Sequence, residues 1–136
     1  MTALTLTVLE DRFALCRLAA GSEVPSWIAQ AGTFLTVSRT PTELSIVADE
    51  SAVPAGVETQ RGYRALRVEG PLPLELVGVL VSIATPLAAA GVPIFPIATY
   101  DTDYVFVPGV QLARAVSALI AAGHRVIDRS EPVSGS

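Results

Sequence analysis

The sequence contains no lysine and no asparagine. Without lysine, the chain cannot form a Schiff base with a carbonyl substrate or with pyridoxal phosphate, and it lacks the lysine of a P-loop. Without asparagine, it cannot carry an N-linked glycan. All nine basic residues are arginines, against thirteen acidic residues, and the net charge is −4. Because phosphate binding needs a concentrated positive face, this balance argues against a nucleic-acid partner.

Cysteine and histidine each occur once, as Cys16 and His124. One cysteine cannot form an internal disulfide, which fits a reducing compartment and predicts a cytoplasmic location. One histidine and one cysteine cannot complete a zinc site, and we expect no metal and no cofactor. The apolar neighbours of Cys16 indicate a buried strand cysteine rather than half of a Cys–His nucleophilic pair. His124 follows a glycine and is predicted to lie at the surface or in an interface.

Aromatic residues are also scarce, at 6%, although hydrophobic residues make up 51% of the chain. The core must therefore consist mainly of valine, leucine, isoleucine and alanine. A length of 136 residues suits one ordinary domain, or two very small ones packed as a unit.

Residues 76–100 form an uncharged run that is long enough to cross a bilayer, which takes about 20 residues. Three prolines and two glycines interrupt this run, and Gly91-Val92-Pro93 divides it into two pieces. The pattern favours a buried helix, a turn and a buried strand, so we expect no membrane partner. The first ten residues place no basic residue before their apolar positions, which is not typical of a signal peptide.

Residue periodicity in the first half of the chain predicts mostly strands. Apolar residues alternate with polar ones near the start, and Glu10-Asp11 is suited to a turn between two strands. The predicted elements are a hairpin of strands 3–9 and 12–19, a helix over 25–31, strands at 33–39 and 43–49, and a polar linker over 50–62.

The second half alternates strands with two helices. Pro86 lies inside the first predicted helix, where its missing N–H leaves the Ser82 carbonyl without a helical partner. The predicted elements are strand 63–69, helix 74–90, strands 93–99 and 103–108, helix 110–122, strand 124–128 and a disordered tail over 129–136. This order predicts a ferredoxin-like βαββαβ α+β fold, an antiparallel sheet with both helices on one face.

The two halves resemble each other at an offset of sixty residues. Residues 34–47 align with residues 94–107, and Thr42-Glu43-Leu44 aligns with Thr102-Asp103-Tyr104. A threonine and a carboxylate that recur at one turn position favour an internal duplication over two unrelated hairpins with similar turns.

Three segments together resemble the ACT-domain family: Val77-Gly78-Val79-Leu80-Val81, residues 87–94, and Ile97-Ala98-Thr99-Tyr100-Asp101. The resemblance is to small ACT-like proteins, to aspartate kinase regulatory domains and to cytosolic arginine sensors. It implies two tandem ACT-like units: an abbreviated one over 1–60 with the N-terminal hairpin, and a complete one over 61–128. Val77 departs from the family pattern, since many ACT domains have proline there.

A ligand site is expected where the first long helix begins. Free backbone N–H groups and the positive end of the helix dipole attract a carboxylate, and Gly78 allows close approach to the backbone. We assign the amides of Val77, Gly78 and Val79 to the carboxylate of a ligand.

Ala98 and the turn that follows it are expected to form the other part of the ligand site. Thr99, Tyr100 and Asp103 supply a hydroxyl, an aromatic face and a carboxylate for an ammonium group. Ser38, Thr40 and Glu43 hold the equivalent positions in the first half. The alternative for Asp103 and Glu43 is that each carboxylate caps its turn by accepting from nearby N–H groups.

These groups and the resemblance imply a non-catalytic regulatory module that binds a free amino acid and forms a homodimer. An enzyme would have to use Asp101, Asp103 and Glu75 as general acids and bases, without a nucleophile–base pair or a metal cluster. A third hypothesis is a ligand-free module for dimerisation or protein interaction.

Overall fold

The computed structural model describes residues 3–73 and 76–128, which contain eight strands, two α-helices and three short 3-10 helices. The strands are β1 Thr5–Val8, β2 Phe13–Ala19, β3 Leu35–Arg39, β4 Glu43–Asp49, β5 Glu58–Val68, β6 Phe95–Ala98, β7 Asp103–Pro108 and β8 Arg125–Asp128. The helices are α1 Val79–Ala89 and α2 Leu112–Ala121, with 3-10 segments at Ser26–Gln30, Glu50–Ala52 and Gly109–Gln111. The predicted tail over 129–136 and the first residues of the predicted helix, Leu74 and Glu75, lie outside the described residues.

The described residues divide into two compact units. One unit is Asp11–Tyr63, and the other combines the described residues before Asp11 with those from Arg64 onward. Strand β5 gives its first residues to the first unit and its last residues to the second.

In the Asp11–Tyr63 unit the strand order is β3-β4-β2-β5, and each of these pairs is antiparallel. This is the ferredoxin-like order, with short 3-10 segments in place of the two helices. The unit is therefore abbreviated, because Ser26–Gln30 has five residues and Glu50–Ala52 has three. Trp27 and Ile28 on the first segment pack against a core formed by residues of β2 and β4.

Cys16 belongs to that core and is 3% exposed, which confirms the prediction of a buried strand cysteine. The Thr59 hydroxyl donates to Cys16 Sγ at 3.7 Å. Burial raises the pKa of the Cys16 thiol above its ordinary value, and the Thr59 hydrogen bond and the charge of Arg61 oppose that rise.

In the second unit the strand order is β6-β7-β5-β1-β8. Without β1 this is again the ferredoxin-like order, and α1 and α2 complete the βαββαβ unit. One core joins the strands to both helices, with Leu6, Leu66 and Val105 from the sheet against Ile83 and Leu119 from the helices, each 0% exposed. Neither α1 nor α2, the helices of the described residues, reaches the length that a bilayer crossing requires.

Strand β1 does not form the predicted hairpin with β2. It lies between β5 and β8, antiparallel to the first and parallel to the second, with Leu6 opposite both Val68 and Val126. Alternating apolar residues identify the face that a strand buries but not its neighbours. Leu6 and Val8 are 0% and 1% exposed, and a place between two strands also gives the β1 backbone partners on both edges.

His124 was predicted to lie at the surface or in an interface, but it is buried within its own unit, where it completes the hydrogen bonding of α1. Pro86 lacks the N–H that would reach the Ser82 carbonyl, and that oxygen lies 2.9 Å from His124 Nε2. The Leu4 backbone N–H donates to His124 Nδ1 at 3.0 Å, so Nδ1 is the acceptor and Nε2 carries the proton of a neutral ring. His124 is 5% exposed, and its ring replaces the helical donor that proline removes.

Candidate functional site

Gly78 is the N-cap of α1 and adopts the left-handed conformation at φ +86°. No atom lies within 4 Å of a Cβ built on this glycine, so a side chain would have space here. The positive φ, which other residues rarely adopt, is therefore the reason that glycine suits this position. The Ser82 N–H donates to the Gly78 carbonyl at 3.0 Å, and no side chain among the described residues caps the helix start. The first backbone N–H groups of α1 therefore lack helical acceptors and can bind an anion.

The turn between β6 and β7 is capped by a threonine. The backbone N–H and the hydroxyl of Thr99 both donate to the Thr102 carbonyl, at 2.9 and 3.0 Å. Ala98 pairs with Asp103 across the hairpin. No hydrogen bond to the Asp103 carboxylate occurs within residues 3–73 and 76–128, so the threonine rather than the carboxylate caps this turn.

A cleft of about 160 Å³ lies between this turn and the start of α1. Its lining residues are Leu72, Pro73, Leu76, Val79, Ala98, Thr99, Tyr100, Asp101, Thr102 and Asp103. Five of the expected site residues therefore meet in one place, namely Val79, Ala98, Thr99, Tyr100 and Asp103. Val77 and Gly78 precede Val79 but do not line the cleft, and Val77 is 87% exposed.

The charges of this helix–turn cleft are all negative. Asp101 and Asp103 line it, and no basic side chain is among its lining residues. Leu72, Pro73, Leu76 and Val79 give it an apolar wall, and Tyr100 stands at its edge with 80% exposure. The cleft therefore offers an apolar surface and carboxylates, which complement an apolar portion and a cationic group of a ligand.

Sequence reasoning missed the wall formed by Leu72 and Pro73. This segment lies between the predicted strand 63–69 and the predicted helix 74–90, and the Leu72 N–H donates to the Asp101 carbonyl at 2.7 Å, which holds the segment against the turn. Local sequence could identify the loop from its prolines, but not this long-range backbone contact.

The expected equivalents in the first half lie on the hairpin of the Asp11–Tyr63 unit. Ser38 is on β3, while Thr40 and Glu43 border the turn. The Thr40 N–H donates to the Glu43 carbonyl at 2.9 Å, so Thr40 and Glu43 correspond to Thr99 and Thr102. The two hairpins therefore align at an offset of 59 residues, and Glu43 and Asp103 do not occupy the same turn position.

The carboxylates of the enzyme hypothesis can be placed only in part. Asp101 and Asp103 both line the helix–turn cleft. Glu75 lies outside the described residues.

Family models match both parts of the chain. Residues 58–121 match the ACT domain, and a model that describes an N-terminal domain matches residues 11–56. None of the curated proteins matches the sequence.

Solved structures share the fold over nearly the whole chain. A protein from Agobacterium tumefaciens is 28% identical and superposes with a TM-score of 0.89, covering 96% of this chain and 97% of that one. A protein of unknown function from Vibrio cholerae is 22% identical, with a TM-score of 0.71 and coverages of 88% and 90%. The ligand-free regulatory subunit of aspartate kinase from Thermus thermophilus is 14% identical, with a TM-score of 0.60 and coverages of 85% and 97%.

Proposed function

We propose that this chain, in which residues 58–121 form an ACT domain, is a non-catalytic regulatory module whose helix–turn cleft binds a free amino acid. The observation that carries the proposal is the meeting of the α1 start with the acidic turn in one cleft. The likeness in fold to the regulatory subunit of aspartate kinase supports the same class of function.

Each part of an amino acid finds a complementary group. The α-carboxylate binds the unpaired N–H groups at the start of α1, which carry the positive end of the helix dipole. The ammonium group, or a basic side chain, faces Asp103 beside the Thr99 hydroxyl. The apolar portion packs on Leu72, Leu76 and Val79.

Regulation follows from preferential binding. A ligand shifts an equilibrium only if it binds one arrangement of the protein more tightly than another. In this proposal the module acts as a cytoplasmic homodimer, and occupancy of the cleft changes how the protein engages its target.

A thermal-shift screen of the twenty L-amino acids tests the binding step. At about a hundred times its Kd, a ligand stabilises the native state by about 2.7 kcal/mol, which raises Tm by several degrees. Asp103→Asn is expected to remove this rise. Glu23→Gln removes a carboxylate from an exposed site in the Asp11–Tyr63 unit and is expected to leave the rise intact. The proposal is wrong if no amino acid raises Tm, or if Asp103→Asn responds as the unaltered chain does.

The second candidate is a ligand-free interaction module, and the surface of α1 favours it. Val77, Leu80 and Val81 are 87%, 40% and 63% exposed near the start of a helix that carries no charged residue. Helices that are apolar all round are usually covered in the functional protein. The thermal-shift screen distinguishes the candidates, because a ligand-free module responds to no amino acid. Light scattering of Val81→Glu tests the second one, which predicts that a charge on this face abolishes self-association.

A further inference from the structure

A second cleft, of about 250 Å³, opens on the sheet face opposite the helices of the second unit. Its lining residues are Arg67, Val68, Glu69, Gly70, Pro71, Asp101, Thr102 and Tyr104. Arg67 and Glu69 alternate along the chain with the core residues Leu66 and Val68, which places their side chains on this opposite face. None of these residues except Asp101 and Thr102 lines the helix–turn cleft.

The two walls of this Arg67 cleft are fixed to each other. The Thr102 hydroxyl donates to the Val68 carbonyl at 2.7 Å, and the Leu72 N–H donates to the Asp101 carbonyl at 2.7 Å. A Cβ on Gly70 would lie 3.1 Å from the Asp101 carbonyl oxygen and 3.2 Å from Thr102 Cβ. The end of β5 and the turn between β6 and β7 are thus held in close contact, so the cleft is formed without a ligand.

The Glu69 carboxylate is already occupied at both oxygens. Its Oε1 accepts from the Thr7 hydroxyl, and its Oε2 lies 3.3 Å from Arg67 Nη2. The contact with Glu69 orients the Arg67 guanidinium along the cleft wall. The Arg67 side chain is 40% exposed.

The Arg67 guanidinium has more hydrogen-bond donors than its contact with Glu69 uses. It carries five N–H groups, and Glu69 is the partner that the structure gives it among the described residues. Its Nε is buried without an acceptor. The Arg67 side chain is 40% exposed, so the accessible N–H groups of its guanidinium can donate to a second carboxylate.

Asp101 supplies the opposite charge. Its backbone carbonyl is held by Leu72, but its carboxylate accepts no hydrogen bond within the part of the chain that the structure describes. The cleft thus carries a cation on the β5 wall and an unpaired carboxylate on the turn wall.

We propose that this Arg67 cleft is a second binding site, for a small zwitterion of the amino-carboxylate class. The ligand carboxylate pairs with Arg67, and its ammonium group pairs with Asp101. One guanidinium and two carboxylates line the site, so a ligand that carries both charges can pair with Arg67 and with Asp101 at once, whereas a singly charged ligand pairs with only one of them. This site goes beyond the proposed function, whose cleft has no basic side chain.

NMR titration of the full ¹⁵N-labelled chain tests this proposal. The probes are glycine and β-alanine, which carry both charges, and acetate and methylammonium, which carry one each. We expect a zwitterion to shift the backbone amides of Thr7, Glu69 and Tyr104 more than either singly charged probe at the same concentration. Arg67→Gln should weaken that binding at least tenfold, while Arg125→Gln, which removes an exposed arginine on β8, should not.

The proposal is overturned if neither zwitterion shifts these amides, if acetate shifts them as strongly, or if Arg67→Gln binds as the unaltered chain does. If Arg67→Gln does not fold, Asp101→Asn should weaken the same shifts at Thr7 and Glu69, and only these two amides are compared because Asp101 also lines the helix–turn cleft. Shifts at Val79 and Ala98 report the helix–turn cleft, and Asp103→Asn should remove those without affecting Thr7 and Glu69. The two sites can therefore fail independently.

Discussion

The two hairpins of the chain have turns of the same construction but different surroundings. In each, a threonine N–H donates to the carbonyl three residues later at 2.9 Å, and the threonine hydroxyl also donates to that oxygen. The segment before the first hairpin is the five-residue 3-10 helix Ser26–Gln30. The segment before the second is the eleven-residue helix α1, whose start lines a cleft together with the turn.

This difference separates turn chemistry from site chemistry. The threonine cap is a local device that satisfies the backbone wherever a tight hairpin occurs. A binding site also needs hydrogen-bond donors that the fold leaves without acceptors. The first turn of an α-helix provides such backbone N–H groups. Glu43 and Asp103 therefore need not share a role, although both follow a threonine in the sequence.

The largest expected effect is a loss of unfolding free energy when an apolar side chain is truncated on the helical segment of each unit. Ile83 on α1 is 0% exposed and belongs to the core, whereas Ile28 on the 3-10 segment is only partly buried. We expect Ile83→Ala to lower the free energy of unfolding by about 2–5 kcal/mol, and Ile28→Ala to have a clearly smaller effect. Urea unfolding followed by circular dichroism measures both. Equal losses would mean that the short segment supports its unit as strongly as α1 does.

The element order of the second half could be predicted because its signals are local. Gly91 and Gly123 end the two helices, and the apolar periodicity changes between helices and strands. The start of β5 was missed because Glu58, Thr59 and Gln60 look like a linker. They pair with Arg17, Cys16 and Leu15, and this backbone pairing does not depend on apolar side chains.

In the candidate site, too, some residues could be predicted from local sequence and others depend on long-range contacts. Thr99 and Asp103 could be found from turn chemistry, and the helix start from its glycine. The wall at Leu72 depends on a backbone bond to Asp101, and the burial of His124 depends on Leu4, 120 residues away. Contacts of such long range leave no pattern in a single sequence.

An intermediate effect on stability is expected at His124, whose imidazole bonds the Ser82 carbonyl of α1. The sequence has no second histidine that could do the same for a 3-10 segment. His124→Phe leaves the Ser82 carbonyl and the Leu4 N–H without partners, which should cost about 1–3 kcal/mol of unfolding free energy. Pro86→Ala restores a helical N–H for the Ser82 carbonyl. We therefore expect His124→Phe to cost about 1 kcal/mol less in the Pro86→Ala background.

A double-mutant cycle by urea unfolding measures this coupling. Additive losses would show that the ring contributes to stability by packing and through Leu4, and not by replacing the donor that Pro86 lacks. Circular dichroism of each variant confirms that the helices are retained before the free energies are compared.

The smallest effects are expected at the two threonine caps, where the hairpins should be equal in stability and different in function. Thr40→Val and Thr99→Val each remove a hydroxyl that bonds within its turn, and each should cost about 0.5–1.5 kcal/mol. Only Thr99→Val alters the helix–turn cleft, so only this variant should reduce the rise in Tm caused by an amino acid. Thermal unfolding with and without the ligand measures both quantities in one experiment. If Thr40→Val reduces the rise as much as Thr99→Val does, the first hairpin takes part in binding, and a helix start beside the turn is not what distinguishes the two regions.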